Sequence, residues 1–115
     1  MSCSICWLGG LIDYNEAWQL QKQLLDKRAI GIIGDIILLL EHPPTITIGK
    51  SGKPANIIVS AEKLEAQGIS FITSDRGGDV TFHAPGQLVC YLVIDISTQK
   101  KHVHQYIYEL EEIVI

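Results

Sequence analysis

Hydrophobic positions recur at helical spacing in the first long segment of the chain. Ala17, Leu20 and Leu24 fall on one face of a helix. Asp13 and Glu16, which precede or overlap this stripe, stand at the spacing of a capping box. The pattern therefore predicts an amphipathic helix that begins at an Asp13 cap.

Two further segments have helical patterns. The stretch between Ser60 and Gly68 is short, with an N-cap residue at its start and a glycine suited to a helix end. The last segment carries an apolar stripe at helical spacing, formed by Val103, Ile107, Leu110 and Val114. Its final letters, "IVI", contain no helix stop signal. We therefore expect this chain to be the N-terminal part of a longer one.

Short apolar runs between these segments predict strands at residues 35–42, 45–49 and 69–74. A longer run at residues 88–96, "LVCYLVIDI", is apolar at nearly every position. Such a run is typical of a central strand covered on both faces, with Cys90 buried inside it. Helices and strands alternate without an internal repeat, so we predict one α/β domain over residues 1–115.

Composition and charge narrow the possible partners. The chain has 115 residues, of which 47% are hydrophobic, enough for one domain with a core. A net charge of −4 and scattered basic residues argue against nucleic acid. The longest early apolar run, residues 5–12, is too short to cross a bilayer and lacks the flanks of a signal peptide. We expect no membrane partner and a cytoplasmic location.

The candidate metal and nucleotide motifs are incomplete. Three cysteines form no even disulfide framework, and the Cys3–Cys6 pair, although spaced as CxxC, lacks two further ligands. His102 and His104 are two apart and point to different sides of a helix. The "GKS" at residues 49–51 lacks the earlier glycine of a phosphate-binding loop. We therefore predict no metal and no cofactor.

The most unusual stretch is "RGGDVTFHAPGQ", residues 76–87. Gly77 and Gly78 can adopt positive φ and let a ligand approach the backbone. Arg76 offers a planar fork of donors for a carboxylate, a phosphate or a carbonyl. A glycine-rich hairpin with an ordinary hydrogen-bonded histidine remains the alternative when the stretch is taken alone.

An extended conformation after the glycines would sort the side chains onto two faces. Asp79, Thr81 and His83 would lie on a polar face, and Val80 and Phe82 on an apolar one. His83 can donate, accept and change its charge near neutral pH. A polar face that ends in His83 therefore favours a binding or reaction site.

The same stretch resembles the signature of the octanoyltransferases of lipoate biosynthesis (the LipB family), RGGxxTxHxPGQ followed by an apolar strand. Every fixed position of that signature is present, namely Arg76, Gly77, Gly78, Thr81, His83, Pro85, Gly86 and Gln87. The upstream segment "EHPPTITIGKSGKPANI" is similar to the corresponding family segment at Glu41, His42, Pro43, Gly49 and Gly52. Ala84 departs from the pattern, since the family usually has glycine there.

This resemblance implies the mixed α/β fold of lipoate and biotin protein ligases and a cysteine acyltransferase. Octanoate would pass from octanoyl-acyl carrier protein to a thiolate, and then to a lysine of a lipoyl domain. By the same resemblance the substrate-binding residues are Arg76, Gly77, Gly78, Asp79, Val80, Thr81, Phe82 and His83. The family's nucleophilic cysteine and its lysine partner match no position here, so we expect no catalytic residue in this chain and no transfer by the chain alone.

Two other functions remain open. A relative of the lipoate–protein ligases would use ATP, although the intact "HAPGQ" argues against it. A protein that binds acyl groups or lipoyl domains without catalysis would account for the unmatched nucleophile.

Overall fold

The structure is a computed structural model that describes residues 3–53, 57–99 and 103–114. Helices and strands alternate, and the predicted mixed α/β class is confirmed. In chain order the elements are β1 (Cys3–Leu11), α1 (Tyr14–Ala29), β2 (Asp35–Glu41), β3 (Thr45–Ile48), α2 (Ala61–Ala66), β4 (Ser70–Thr73), β5 (Val80–His83), β6 (Val89–Val93), a short 3-10 helix (Ile96–Gln99) and α3 (Val103–Val114).

The strands form two mixed three-stranded sheets. The first sheet has the order β1-β2-β6, with β1 parallel and β6 antiparallel to β2. The second has the order β4-β3-β5, with β4 parallel and β5 antiparallel to β3. The link from β2 to β3 passes through Pro43 and Pro44, which supply no backbone donor and so end the ladder of the first sheet.

Helix α1 covers one face of the first sheet. Its start is as predicted, because the Asp13 side chain accepts a hydrogen bond from the Glu16 N–H at 3.2 Å. Ala17 from the helix packs with Leu38 and Leu40 from β2, and all three are buried. Leu20 and Leu24, the other predicted stripe residues, pack at the margin of this cluster. Apolar burial therefore joins α1 to the sheet.

The predicted order of the strands is wrong in one respect. The run at residues 88–96 was expected at the centre, yet β6 lies at an edge of its sheet and β2 is the central strand. Val89 and Tyr91 pack towards α1, whereas Cys90 is exposed on the opposite face rather than buried. An apolar run records how much surface a strand can bury but carries no information about its neighbours, so composition alone could not order the strands.

Strand β1 was not predicted. It pairs with β2 from Cys3↔Asp35 to Trp7↔Leu39 and then shifts register before Leu11. Cys3 and Cys6 are three apart on this strand, and such residues lie on opposite faces. This geometry separates the two thiols of the CxxC spacing, and both are exposed.

The other two predicted helices are present. Ser60 caps α2 by accepting from the Lys63 N–H, and Gly68 beyond its end has a φ of +72°. Helix α3 contains the predicted apolar stripe, and none of its residues from Val103 to Val114 is buried. His102 lies outside the described residues. No helix in the described ranges is long and apolar enough to cross a membrane.

Candidate functional site

Two loops at one end of the second sheet are bonded to each other. We call residues 49–53 the first glycine loop and residues 76–79 the second glycine loop. Three backbone hydrogen bonds join them: Gly49 N–H to the Asp79 oxygen (2.8 Å), Lys50 N–H to the Arg76 oxygen (2.9 Å) and Ser51 N–H to the Gly78 oxygen (3.1 Å). The Asp79 carboxylate adds a bond from the Lys53 N–H at 3.2 Å. The two loops are therefore one structural unit.

Gly49 is required by the close approach of these loops. A Cβ at this position would collide with the carbonyl oxygen of Gly78 and would lie 2.9 Å from that of Arg76. Gly49 is buried, so the collision could not be relieved by moving a side chain into solvent. The glycine is therefore explained by packing against backbone and not by its own φ.

Arg76 holds the second glycine loop against β3. Its guanidinium donates from Nε to Thr47 Oγ1 (3.0 Å) and from Nη2 to the Thr47 carbonyl (2.9 Å). It also donates to the carbonyls of Gly77 and Asp79, each at 2.7 Å. The sequence did not decide whether Arg76 binds a carboxylate, a phosphate or a carbonyl. In the structure its acceptors include three backbone carbonyls of this chain.

The two glycines after Arg76 differ. Gly78 has a φ of +92°, as predicted, and a Cβ there would approach the Arg76 side chain at 3.1 Å. Gly77 has no positive φ, although the lack of a Cβ would permit one. Apart from its two chain neighbours, no described residue has an atom within 4 Å of a Cβ placed on Gly77. Gly77 thus borders open space at the surface of the loop.

Strand β5 separates the predicted site residues onto two faces, as expected. Thr81 pairs with Thr47, and His83 pairs with Thr45. This face is turned inwards, because both threonines of β3 are buried. Val80 and Phe82 lie on the opposite face, where 48% of Phe82 is exposed. The structure therefore brings Thr81 and His83 together and places Val80 and Phe82 away from them.

Four rings meet between the two sheets, and we call them the ring cluster: Tyr14 at the start of α1, His42 after β2, His83 at the end of β5 and Tyr91 on β6. The ring centroids of His83 lie 5.4 Å from His42 and 5.9 Å from Tyr14, and those of His42 and Tyr91 are 5.8 Å apart. Of these four residues, sequence analysis placed only His83 in a candidate site. His42 was noted in the resemblance, and its position before two prolines was the only local signal.

His42 is fully buried and both of its ring nitrogens are bonded. Nδ1 lies 2.7 Å from the Ile12 carbonyl, which can only accept, so Nδ1 carries the proton. In the neutral ring Nε2 then accepts from the Tyr91 hydroxyl at 2.7 Å. Burial lowers the pKa of His42, and burial together with the nearby Tyr14 raises the pKa of Tyr91. Both groups are therefore neutral near pH 7.

His83 has one nitrogen bonded and one open. Its Nδ1 lies 2.9 Å from Gln87 Oε1, an amide oxygen that can only accept, so Nδ1 is the donor. The amide nitrogen of Gln87 donates to the Phe82 carbonyl at 3.4 Å, which supports this orientation. Nε2 has no hydrogen bond within the described part of the chain. Nε2 of His83, at the Thr45 end of β5, is therefore available to a ligand.

A carboxylate fixes the turn that follows β5. Glu41 Oε1 accepts a hydrogen bond from the Gly86 N–H, and Gly86 has a φ of +90°. This contact joins the end of β2 to the turn that carries Gln87. Glu41 thereby supports the bond between Gln87 and His83.

An apolar cavity of about 170 Å³ lies beside α2 and β4, away from the ring cluster. Its lining consists of Ile57, Val59, Ala61, Leu64 and Phe71, and includes none of residues 76–83. Within the described ranges, no group of three or more His, Cys, Asp or Glu side chains could hold a metal ion.

Comparisons with known proteins agree with the motif. Two relatives named Octanoyltransferase are similar over most of the chain. That of Chloroflexus aggregans is 49% identical over 106 residues, covering 92% of this chain and 48% of the relative. That of Caldicellulosiruptor saccharolyticus is 42% identical over 115 residues, covering 100% of this chain and 48% of the relative. The chain thus spans about half the length of the curated relatives it matches.

Among solved structures, the bi-partite lipoate protein ligase system of Thermoplasma acidophilum is similar at 18% identity, with a TM-score of 0.46, over 78% of this chain and 34% of that chain. The lipoyl protein ligase A/B catalytic domain family matches residues 13–115. That match takes in both glycine loops and the whole ring cluster, and the chain belongs to this family.

Proposed function

We propose that this chain forms the acyl-binding part of an octanoyltransferase that moves an octanoyl group from octanoyl-acyl carrier protein to a lysine of a lipoyl domain. Membership of the ligase A/B family and the names of relatives at 42–49% identity support the reaction class. The three cysteines are free, which fits a reducing compartment, so the proposal places the protein in the cytoplasm.

In this proposal residues 76–83 line the substrate pocket. The observation that carries it is a preformed loop combined with unoccupied positions. Arg76 donates to carbonyls of the chain itself, a Cβ on Gly77 would meet nothing within 4 Å beyond its chain neighbours, and His83 Nε2 has no hydrogen bond within the described residues. An unobstructed backbone suits the approach of an acyl thioester. A preformed loop also lowers the ordering cost of binding.

The proposed chemistry has two steps. A cysteine thiolate attacks the octanoyl thioester and breaks its C–S bond, forming a new thioester and releasing the carrier protein as a thiolate. The lysine amine of the lipoyl domain then attacks that thioester, forming an amide and releasing the cysteine. By resemblance the cysteine and its lysine partner are not among the residues of this chain.

His83 has two possible roles in these steps. As a neutral base, Nε2 accepts the proton of the attacking amine or orients the thiol. In its protonated form, Nε2 donates to the thioester carbonyl and stabilises the developing charge. Thr81 lies on the same face and could bond the same carbonyl.

Replacement of Gly77 tests the pocket in the complete protein. Gly77→Val should abolish binding of octanoyl-acyl carrier protein, because its side chain would occupy the space left for the acyl group. Gly10→Val is the matched control, since Gly10 also has no positive φ and no atom within 4 Å of an added Cβ. Binding and transfer are measured by titration and by mass spectrometry of the lipoyl domain. Normal transfer by both Gly77→Val and His83→Ala would show that the stretch is a structural hairpin.

The chain by itself provides a second test. After incubation with octanoyl-acyl carrier protein, mass spectrometry should find no stoichiometric thioester, because none of the cysteines matches the family's nucleophile. A stable adduct on Cys90 would reassign the nucleophile to β6. Binding without transfer by the complete protein would favour the non-catalytic alternative.

A lipoate–protein ligase is the second candidate, because the matched family includes ligases by name. A ligase activates its acid with ATP, so it exchanges labelled pyrophosphate into ATP when the acid is present. The proposed transferase should show no such exchange and should depend on the octanoyl thioester. ATP-dependent exchange would replace the transferase proposal with the ligase.

A further inference from the structure

His42 connects three separate parts of the chain behind His83. It follows β2, its Nδ1 donates to the Ile12 carbonyl just before α1, and its Nε2 accepts from Tyr91 on β6. Both bonds are 2.7 Å long and the side chain has no exposed surface. His42 therefore cannot reach a substrate without breaking a buried hydrogen bond.

The His83 ring packs against two other rings, those of His42 and Tyr14. His42 meets it in a T-shaped contact at 5.4 Å, and Tyr14 stacks on it at 5.9 Å. Tyr14 is itself 5.1 Å from His42, and its hydroxyl is bonded to Ser74 at 2.9 Å. The imidazole of His83 thus lies in a corner made of two rings, each held by its own hydrogen bonds.

We infer that His42 is a positioning residue: held as the neutral Nδ1–H tautomer between Ile12 and Tyr91, it keeps the His83 ring in the orientation that leaves Nε2 open. The kinetic consequence rests on the proposed transferase, whereas the orientation itself does not. His42 does not touch the reacting atoms, and its effect passes through the ring contact with His83.

Few titratable groups lie close enough to His42 to favour its protonated form. The titratable groups that face it are Asp13 and Tyr14 at the start of α1, His83 on β5 and Tyr91 on β6. Burial is the largest influence on the pKa of His42 and opposes the charged ring, as does His83, whereas the Ile12 carbonyl and Asp13 favour it. The net lowering of the pKa keeps the ring neutral near pH 7, with Nε2 as the acceptor from Tyr91.

Nuclear magnetic resonance of the imidazole nitrogens tests the tautomer in the unmodified chain. Long-range proton–nitrogen spectra at about pH 8 should show His42 protonated at Nδ1 alone. Protonation at Nε2 instead of Nδ1 would overturn the inference.

Two variants test whether His42 orients His83. His42→Phe keeps a ring in place but removes both hydrogen bonds, and Tyr91→Phe removes one of them. Each should replace the single set of His83 ring signals with broadened or doubled ones. Tyr108→Phe is the matched control, because it deletes the same hydroxyl group from an exposed side chain of α3 that lies outside the ring cluster. It should leave the His83 signals single. Single, unmoved His83 signals in Tyr91→Phe would refute the positioning role even if His42→Phe fails to fold.

The kinetic readout separates this inference from the proposed function. In the complete protein, Tyr91→Phe should lower kcat roughly 10- to 100-fold, because a small displacement of a reacting group costs about that much. KM should stay unchanged, since His42 and Tyr91 do not bind substrate. A raised KM with unchanged kcat would contradict the inference. If the unmodified protein transfers no octanoyl group, the proposed function fails, while the spectra still decide the orientation.

Discussion

The two sheets of this protein have interiors of different chemistry. Between α1 and the first sheet, Ala17 of the helix is buried with Leu38 and Leu40 of β2. The second sheet, on the side that faces the ring cluster, buries Thr45 and Thr47. His42 and Ser74, at the borders of that side, are buried as well. Among the described residues, no buried side-chain nitrogen or oxygen lacks a hydrogen-bond partner.

The apolar interior mainly stabilises the fold, and the polar interior mainly fixes the orientation of side chains and loops. Apolar contacts are non-directional, so the first interior stabilises the fold without fixing the angle of any group. Hydrogen bonds are directional, and an unpaired buried polar atom is costly, so the second interior fixes tautomers and loop shapes. Of the residues proposed to bind substrate, Thr81 and His83 lie on the side of β5 that faces this directional interior.

Truncation in the apolar interior should have the largest effect on stability. Leu40→Ala should lower the free energy of unfolding by about 2–5 kcal/mol, because Leu40 is fully buried and the cavity would not refill completely. Urea denaturation measures the change. Leu25→Ala is the control on the exposed side of α1, where 58% of the side chain is accessible, and it should change stability by less than about 0.5 kcal/mol. Equal losses in the two variants would contradict the packing of α1.

A methyl group between the two glycine loops should have the next largest effect. Gly49→Ala should cost roughly 1–3 kcal/mol, because the new Cβ meets backbone carbonyls that cannot move independently. Gly77→Ala is the matched control in the facing loop, where the Cβ meets open space, and its change should stay within about 0.5 kcal/mol. If Gly49→Ala were as stable as the parent, the loops could not be bonded as they are here.

The bonds of Arg76 to Thr47 should give a measurable coupling. Arg76→Lys keeps the charge but loses the planar fork, and Thr47→Val removes the acceptor hydroxyl while keeping the shape. A double-mutant cycle on urea denaturation should yield a coupling energy of about 0.5–1.5 kcal/mol. Additive losses would mean that Arg76 and Thr47 do not support each other, and that Arg76 is available to a ligand.

The smallest expected effect is on the pH dependence of stability. This dependence should change when His42 is replaced and should not change when the apolar interior is truncated. The pKa of folded His42 is lowered by burial, so as pH falls below the unfolded value near 6.5 the unfolded state binds the proton first. The free energy of unfolding should therefore fall as pH drops from about 7 to about 5. His42→Phe should flatten this slope. Leu40→Ala should lower the free energy of unfolding at each pH and leave the slope unchanged. The Asp35 carboxyl, whose pKa is lowered by its hydrogen bond to Arg28, acts only at more acidic pH. An unchanged slope in His42→Phe would show that His42 is not the group responsible.

Sequence reasoning succeeded where a signal is local. The caps at Asp13 and Ser60, and the alternation of β5, depend on residues within a few positions of each other. It failed where the answer depends on distant segments. β1 was missed because a strand with exposed residues has no strong pattern, and β6 was placed at the centre because an apolar run does not reveal its neighbours.

The sequence by itself determined the types of helices α1–α3 and strands β2–β6, the signature at Arg76 to Gln87 and the two faces of β5, since all of these follow from local spacing. Only the tertiary structure decided which nitrogen of His83 is open, because that depends on Gln87 after a turn held by Glu41 from β2. It alone also placed His42 behind His83 and directed the donors of Arg76 to the chain. Hydrogen bonds between residues far apart in sequence form only when the strands pair, and so they leave no periodic trace in the sequence.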